Sequence, residues 1–287
     1  MLGVRELTIA IPASVVSDTP HLREKTGKLG IIARHCSIFR VDQIVIYADD
    51  SNRDQSKDFM ICEEILRFIE TPQYLRKRLF KMTPALQFAG ILPPLQIPSH
   101  NVAKSIRECK PSEWREGVVI SRKRNVLTMD AGLELPAVCN GELPVGTRAT
   151  LQVTSIEKES IQGQLIDPSK ISAPLYWGYR VRLEKNRLSE MLEKENVDLK
   201  IGTSRYGQRL KDAWSKINEL LNEGVSVMIA FGSPKLGLQE ILQREGTTPS
   251  DLFNFFVNFV PSQGTLTVRT EEAVGITLAS LNIMRSV

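Results

Sequence analysis

Apolar positions fall along the 287-residue chain in three textures. Over roughly the first ninety residues, short apolar runs alternate with helical patterns. Leu7-Thr8-Ile9-Ala10-Ile11 reads as a strand stopped by Pro12, and Leu22 to Cys36 places Leu22, Leu29, Ile32 and Ala33 on one helical stripe. Gln43 to Tyr47 is a β-branched run that ends in the turn residues Asp49-Asp50-Ser51-Asn52. Two further helical patterns run from Phe59 to Phe80, broken at Thr71-Pro72. Strand and helix in alternation predict a parallel sheet with helices on its faces.

Near Pro93-Pro94 the texture changes to short β-type runs with turn residues between them: Gly117–Ile120, Asn125–Met129, Leu133–Val138, Thr147–Ile156 and Ser160–Ile166. Five closely spaced strands predict a small antiparallel barrel, either an oligonucleotide-binding (OB) fold or an SH3-like one. After Pro174 the first texture returns. Tyr179–Leu183, Val225–Phe231 and Leu252–Val260 read as strands, and Leu188–Lys194, Leu236–Arg244 and Arg269–Arg285 as helices. The division expected is one α/β domain, residues 1–91 and 172–287, interrupted by a β-barrel domain of residues 92–171.

Composition narrows the classes. Apolar residues make up 42% of the chain, enough for a sizeable core, and the formal net charge of +4 is too small to imply a polyanion partner by itself. No apolar run approaches a membrane span, and the first residues lack the charged-then-apolar pattern of a signal peptide, so a soluble cytoplasmic protein is expected. Cys36, Cys62, Cys109 and Cys139 lie too far apart for a zinc knuckle or a redox pair, and the three histidines lack metal-ligand spacing. Neither a metal site nor a disulfide framework is expected.

Three segments carry candidate chemistry. Gly232-Ser233-Pro234-Lys235-Leu236-Gly237 follows a buried strand and opens like a P-loop, but Leu238 and Gln239 stand where the lysine and hydroxyl are required. What remains is a glycine turn at the carboxyl end of a strand, where open α/β sheets bind ligands. Asn258 to Ala273 is a donor-rich loop around Gly264 that leads into a helix, with Thr270 as cap and Glu271 and Glu272 in its first turn. The third is Gly30 to Asp42, where Arg34 lies one turn beyond Gly30.

Together these segments resemble the SPOUT superfamily of RNA methyltransferases. Gly30-Ile31-Ile32-Ala33-Arg34 with Phe39 and Val41-Asp42 is similar to its first motif, Ile229–Ser233 to its second and Asn258–Ala273 to its third. The second departs from the family habit, with Ser233-Pro234-Lys235 in place of a glutamate. Pro72–Arg76, Leu86–Gly90, Arg115-Glu116-Gly117, Tyr176–Tyr179 and Ile201–Arg205 resemble the archaeal and eukaryotic branch that carries an inserted OB-like barrel.

The resemblance implies a trefoil-knotted α/β fold, a homodimer, and S-adenosylmethionine held by Arg205, Phe231, Gly232, Ser233, Asn258, Val260, Gln263, Gly264, Thr265, Val268 and Thr270. It implies methyl transfer to RNA, expected to be a ring nitrogen of a ribosomal uridine. Arg34 is expected to position the target nucleotide, with Arg205 and Glu271 as further catalytic candidates. Arg23, Arg40, Arg76, Lys77 and Arg78 are expected to meet RNA, with the barrel as a second grip. The alternative is a non-catalytic RNA-binding or ribosome-assembly factor on the same fold. Val274, Leu278, Leu281 and Met284 share one stripe of the last helix and serve either a dimer contact or the chain's own core.

Overall fold

The computed structural model describes residues 4–101, 105–168, 171 and 175–284. Its elements begin with β1 (Glu6–Pro12), α1 (Leu22–Ile38), β2 (Gln43–Ala48), α2 (Ser56–Glu70) and α3 (Gln73–Leu79). Five strands follow: β3 (Trp114–Lys123), β4 (Val126–Asp130), β5 (Ala137–Asn140), β6 (Arg148–Ile156) and β7 (Ile161–Ile166). The rest comprises β8 (Arg180–Arg187), α4 (Leu188–Lys194), β9 (Leu199–Arg209), α5 (Leu210–Asn222), β10 (Ser226–Ala230), α6 (Leu238–Arg244), α7 (Pro249–Leu252), β11 (Phe255–Asn258) and α8 (Thr270–Met284).

The chain forms two compact units. One holds the residues up to Arg67, Pro84–Pro94 and those from Tyr179 on; the other holds Phe68–Thr83 and Leu95–Gly178. The first is built on six strands in the order β11-β9-β10-β1-β2-β8, every neighbouring pair parallel. Its central strands β1 and β10 are buried almost throughout, which is why they read as continuous apolar runs. Ala10, Val45, Tyr47, Met228 and Ala230 form one core with Leu188, Met191 and Leu192 of α4 and Leu238, Ile241 and Leu242 of α6. The alternate residues Ile9, Ile11, Ile44, Ile46 and Ile229 point to the other face and are equally buried. The α8 stripe of Val274, Leu278, Leu281 and Met284 is spent inside this unit, at 4% exposure or less.

In the second unit β3-β4-β5-β7-β6 closes into a barrel, antiparallel except for the β5–β7 pair. Val119, Leu127, Met129, Cys139, Leu151, Val153 and Ile161 fill it. Residues 68–83, which the sequence pattern groups with the α/β half, belong here instead. Tyr74 donates to the Glu116 carbonyl at 3.0 Å, Arg78 pairs with Asp130, and Arg148 bonds both carboxylate oxygens of Glu70 at 2.6 and 3.0 Å. Gly132 takes φ +73° where the Tyr74 ring would collide with any side chain, so both conformation and space demand glycine.

Two elements have no counterpart in the sequence pattern. β9 alternates apolar and polar residues only over its first part, and α5 buries just Ala213, Ile217 and Leu221. The strand expected over Leu252–Val260 is shorter, because Pro249–Leu252 forms a helical turn capped by Thr248 before β11 begins.

Candidate functional site

The carboxyl ends of β9, β10 and β11 and the loop that enters α8 enclose a cleft of about 800 Å³. Each wall is fixed by backbone bonding that follows from the local sequence. The Phe231 N–H donates to the Ala10 carbonyl at 2.9 Å, and the buried Tyr47 hydroxyl donates to the Phe231 carbonyl at 2.7 Å. The turn then closes on itself: Ser233 N–H donates to the Leu236 carbonyl at 2.8 Å, and Leu236 N–H to Ser233 Oγ at 3.0 Å. A Cβ on Gly232 would lie 3.0–3.1 Å from the backbone of Leu236, Gly237 and Leu238, so a side chain there would push the turn open by a few tenths of an ångström. Glu240 caps the Gly237 N–H at the start of α6.

The second and third walls interlock. Asn258 Nδ2 donates to the Arg205 carbonyl at 2.7 Å, and Asn258 Oδ1 accepts from Val260 N–H at 2.9 Å. Gln263 Nε2 donates to the carbonyls of Thr265 and Leu266 at 2.9 and 3.2 Å, which folds the loop over itself. Arg205 Nη1 reaches the Leu266 carbonyl at 3.3 Å while its guanidinium lies 4.6 Å from the Tyr206 ring centre. Thr270 Oγ1 donates to the Gly232 carbonyl at 3.3 Å and so joins the start of α8 to the β10 turn.

Of the residues expected around a cofactor, Arg205, Phe231, Gly232, Ser233, Asn258, Val260, Gln263, Val268 and Thr270 all line this cleft. Gly264 and Thr265 do not; the Thr265 hydroxyl instead donates to the Thr267 carbonyl at 2.9 Å and shapes the loop behind the wall. The structure adds Asp18, Thr203, Tyr206, Lys235 and Arg269 to the lining. The hydroxyl and positive spacing of Thr203-Ser204-Arg205-Tyr206 was a usable signal; nothing in the sequence pointed to Asp18.

The other catalytic candidates lie elsewhere. Arg34 is half-buried on α1, its Nη1 donating to the Pro94 carbonyl at 3.1 Å, and is not part of this cleft wall. Glu271 is buried, its Oε2 3.3 Å from Lys28 Nζ, and also lies off the lining. Lys28 in turn places its ammonium 2.8 and 2.9 Å from the two Asp18 oxygens. Burial pushes the Asp18 carboxyl up, but the hydrogen bonds and charge of Lys28 outweigh it and hold the group below its ordinary value.

The basic residues expected to meet RNA divide as well. Arg76 donates to the carbonyls of Thr71 and Ile69 at 2.9 and 3.0 Å and covers the Phe68 ring, and Arg78 is paired to Asp130. Lys77 is exposed, as are Arg23 and Arg40. Among the described residues, no three His, Cys, Asp or Glu side chains gather as a metal site requires, and no helix is long and apolar enough to cross a membrane.

What the cleft can do follows from its donors: guanidinium and ammonium groups from three walls, backbone amides at a strand end, and an apolar surface from Phe231, Val257 and Ala273. That set suits a nucleoside carrying a charged tail. A family profile described as "Putative RNA methyltransferase" matches residues 6–281. The 28S rRNA (uridine-N(3))-methyltransferases of Mus musculus and Homo sapiens are 34% and 33% identical to the chain over 96% of its length and 75% and 77% of theirs. An uncharacterized protein of Halobacterium salinarum is 32% identical over 96% of this chain and 98% of its own. The match runs from the first strand of the sheet to its last helix, and this chain belongs to that family of RNA methyltransferases.

Proposed function

We propose that this chain transfers a methyl group from S-adenosylmethionine to ring nitrogen N3 of a uridine in ribosomal RNA. The observation that carries the reading is likeness over 96% of the chain to relatives named for that reaction. S-adenosylmethionine supplies a methyl group on a positively charged sulfur. The cleft fits it in size and in donor chemistry, with Arg205, Phe231, Gly232, Ser233, Asn258, Val260, Gln263, Val268 and Thr270 as the holding residues and Gly264 and Thr265 as support for their loop.

The α/β unit is read as a SPOUT domain whose trefoil knot involves the segment between β11 and α8. In support, that segment leaves the sheet edge at β11, yet Thr270 bonds the β10 turn and α8 packs on α1. The strand order of the barrel and its single parallel pair support an OB-like reading, with RNA as its ligand. RNA is expected to pass Arg23, Arg40 and Lys77, while Arg76 and Arg78 shape the surface beside Lys77.

A homodimer is part of the same reading. Ile31 and Ile38 of α1 are 46% and 52% exposed, and Ile276 and Ile283 of α8 are 37% and 56% exposed, on two helices that pack on each other. Arg34 shares the α1 face with Ile31 and Ile38 by helical spacing. A two-fold contact there would carry Arg34 toward the partner's cleft, which accounts for its absence from its own. Ile283→Glu is expected to give a folded monomer by sedimentation, with methyl transfer lost.

The test of the reaction is mass spectrometry of ribosomal RNA from cells with and without the gene. Loss of one 3-methyluridine in its absence is expected. Unchanged RNA, with S-adenosylmethionine still bound by the protein, would make the chain a non-catalytic RNA-binding factor.

A further inference from the structure

Methylation of uracil at N3 requires a group that no residue above supplies. N3 carries a proton, stays un-ionised at neutral pH, and must lose that proton as it gains the methyl. Among the described residues, two carboxylates line the cleft, Asp18 and Glu240. Glu240 is committed to the Gly237 N–H at the head of α6. Asp18 stands differently. It follows β1 and its short 3-10 turn, and its side chain is 34% exposed at the cleft wall.

Its oxygens are fixed unequally. Oδ1 accepts from Lys28 Nζ at 2.8 Å and from the Thr19 hydroxyl at 3.1 Å, whereas Oδ2 accepts from Lys28 Nζ at 2.9 Å. A carboxylate oxygen offers two lone pairs, so Oδ2 keeps one for an incoming donor. Lys28 is 6% exposed and braced from behind by Glu271 of α8, which holds the carboxylate in one orientation. The charged group in contact with Asp18 is Lys28 of α1, with Glu271 behind it; Arg205, Lys235, Glu240 and Arg269 line the other walls of the same cleft. Burial works against the charge, and the hydrogen bonds and positive charge of Lys28 outweigh it and keep the carboxylate ionised.

We propose that Asp18 is the proton acceptor for the target uridine. This rests on the uridine-N3 reading above. The N3–H bond breaks, its proton bonds to Asp18 Oδ2, and its electron pair remains on N3. That pair forms the new N–CH3 bond as the methyl carbon leaves sulfur, which keeps the electrons of the broken bond. The resulting carboxylic acid returns its proton to water through its exposed edge. The same oxygen selects the base. It accepts from the N3–H of uracil and faces only a lone pair on N3 of cytosine.

Asp18→Asn tests this on the full chain with in vitro-transcribed large-subunit ribosomal RNA. Single-turnover transfer at pH 7 should fall about 100-fold or more, with S-adenosylmethionine affinity by calorimetry within about threefold of wild type. Two readouts separate proton acceptance from a structural role. The variant's rate should climb as pH rises and uridine ionises unaided, and RNA containing 5-fluorouridine, whose N3–H is more acidic, should recover most of the loss. With S-adenosylhomocysteine bound, wild type should prefer RNA carrying uridine over cytidine at the target, and the variant should lose that preference. Asp18→Ser, which removes the carboxylate without an amide beside Lys28, should behave alike and serves if the asparagine protein misfolds. A wild-type rate in either folded variant, equal loss on uridine and 5-fluorouridine RNA, or collapse of S-adenosylmethionine binding would overturn the assignment. Absence of uridine methylation by wild type would instead overturn the parent reading and this one with it.

Discussion

Each unit of the molecule sets one cation between two carboxylates, and the two arrangements differ in what they leave open. In the barrel unit Arg148 bonds Glu70 through both terminal nitrogens and Glu116 through Nε at 2.5 Å. Glu116 also accepts from the Thr150 hydroxyl and from Trp177 Nε1 at 2.6 Å, so the cluster closes on itself. In the α/β unit Lys28 bridges Asp18 and Glu271, but Asp18 opens onto the cleft and Glu271 Oε2 has no hydrogen-bond partner. A closed network fixes a fold; an open one keeps acceptor capacity for a ligand. The same three charges therefore serve architecture in one unit and chemistry in the other.

The comparison breaks first at Arg148. Arg148→Met removes the ion pairs that Arg148 makes with Glu70 and Glu116, carboxylates at 10% and 4% exposure, and should cost about 4 kcal/mol, read as a lower midpoint in denaturant. His100 sharpens the same point through pH. Its Nε2–H donates to the Glu70 carbonyl at 2.6 Å; burial foremost, with Arg76 and Arg148 nearby, brings the imidazole down to about 4 from 6.5. Between those values the unfolded chain binds a proton that the folded chain refuses. Stability is thus full above pH 6.5 and falls as pH drops to about 4, by roughly 3 kcal/mol. His100→Gln should flatten that slope in unfolding curves at pH 7 and pH 5.

Lys28→Met should cost less, about 2 kcal/mol, because Asp18 can turn to water while Glu271 cannot. Its methyl transfer should fall further than its stability, since Asp18 loses its brace. The smallest stability effect belongs to Arg34. Arg34→Ala should cost about 1 kcal/mol, the worth of its hydrogen bond to the Pro94 carbonyl, yet remove most single-turnover transfer, with S-adenosylmethionine affinity unchanged. Arg34→Lys should recover only part, since an ammonium lacks the planar fork of a guanidinium. An alanine variant at full rate would return Arg34 to the role of an ordinary surface residue.

How far the sequence reveals this depends on how local each signal is. Strands β1, β2 and β10 are continuous apolar runs because both their faces are covered, and five barrel runs were legible from alternation and turns. β5 starts later than the run Leu133–Val138, after Pro136, which cannot donate to a ladder. β9 escapes the pattern because its second half, from Thr203, is polar where it borders the cleft. α5 escapes because its buried stripe is one residue wide. The cleft loops were legible as donor-rich strand ends with glycine. The Asp18–Lys28–Glu271 bridge was not. A lysine gives no local sign of burial, and its second carboxylate lies 243 positions along the chain, on a helix that only the fold brings to α1.

The central contrast is tested most directly by one paired measurement. Folded Asp18→Asn and Arg148→Met proteins are compared for single-turnover methyl transfer to ribosomal RNA at saturating RNA and cofactor, below the unfolding temperature of both. The open network predicts that Asp18→Asn loses about 100-fold in rate, while Arg148→Met stays near wild type despite its lower stability. Equal losses in both, or the loss in Arg148→Met alone, would contradict the division of the two networks into chemistry and architecture.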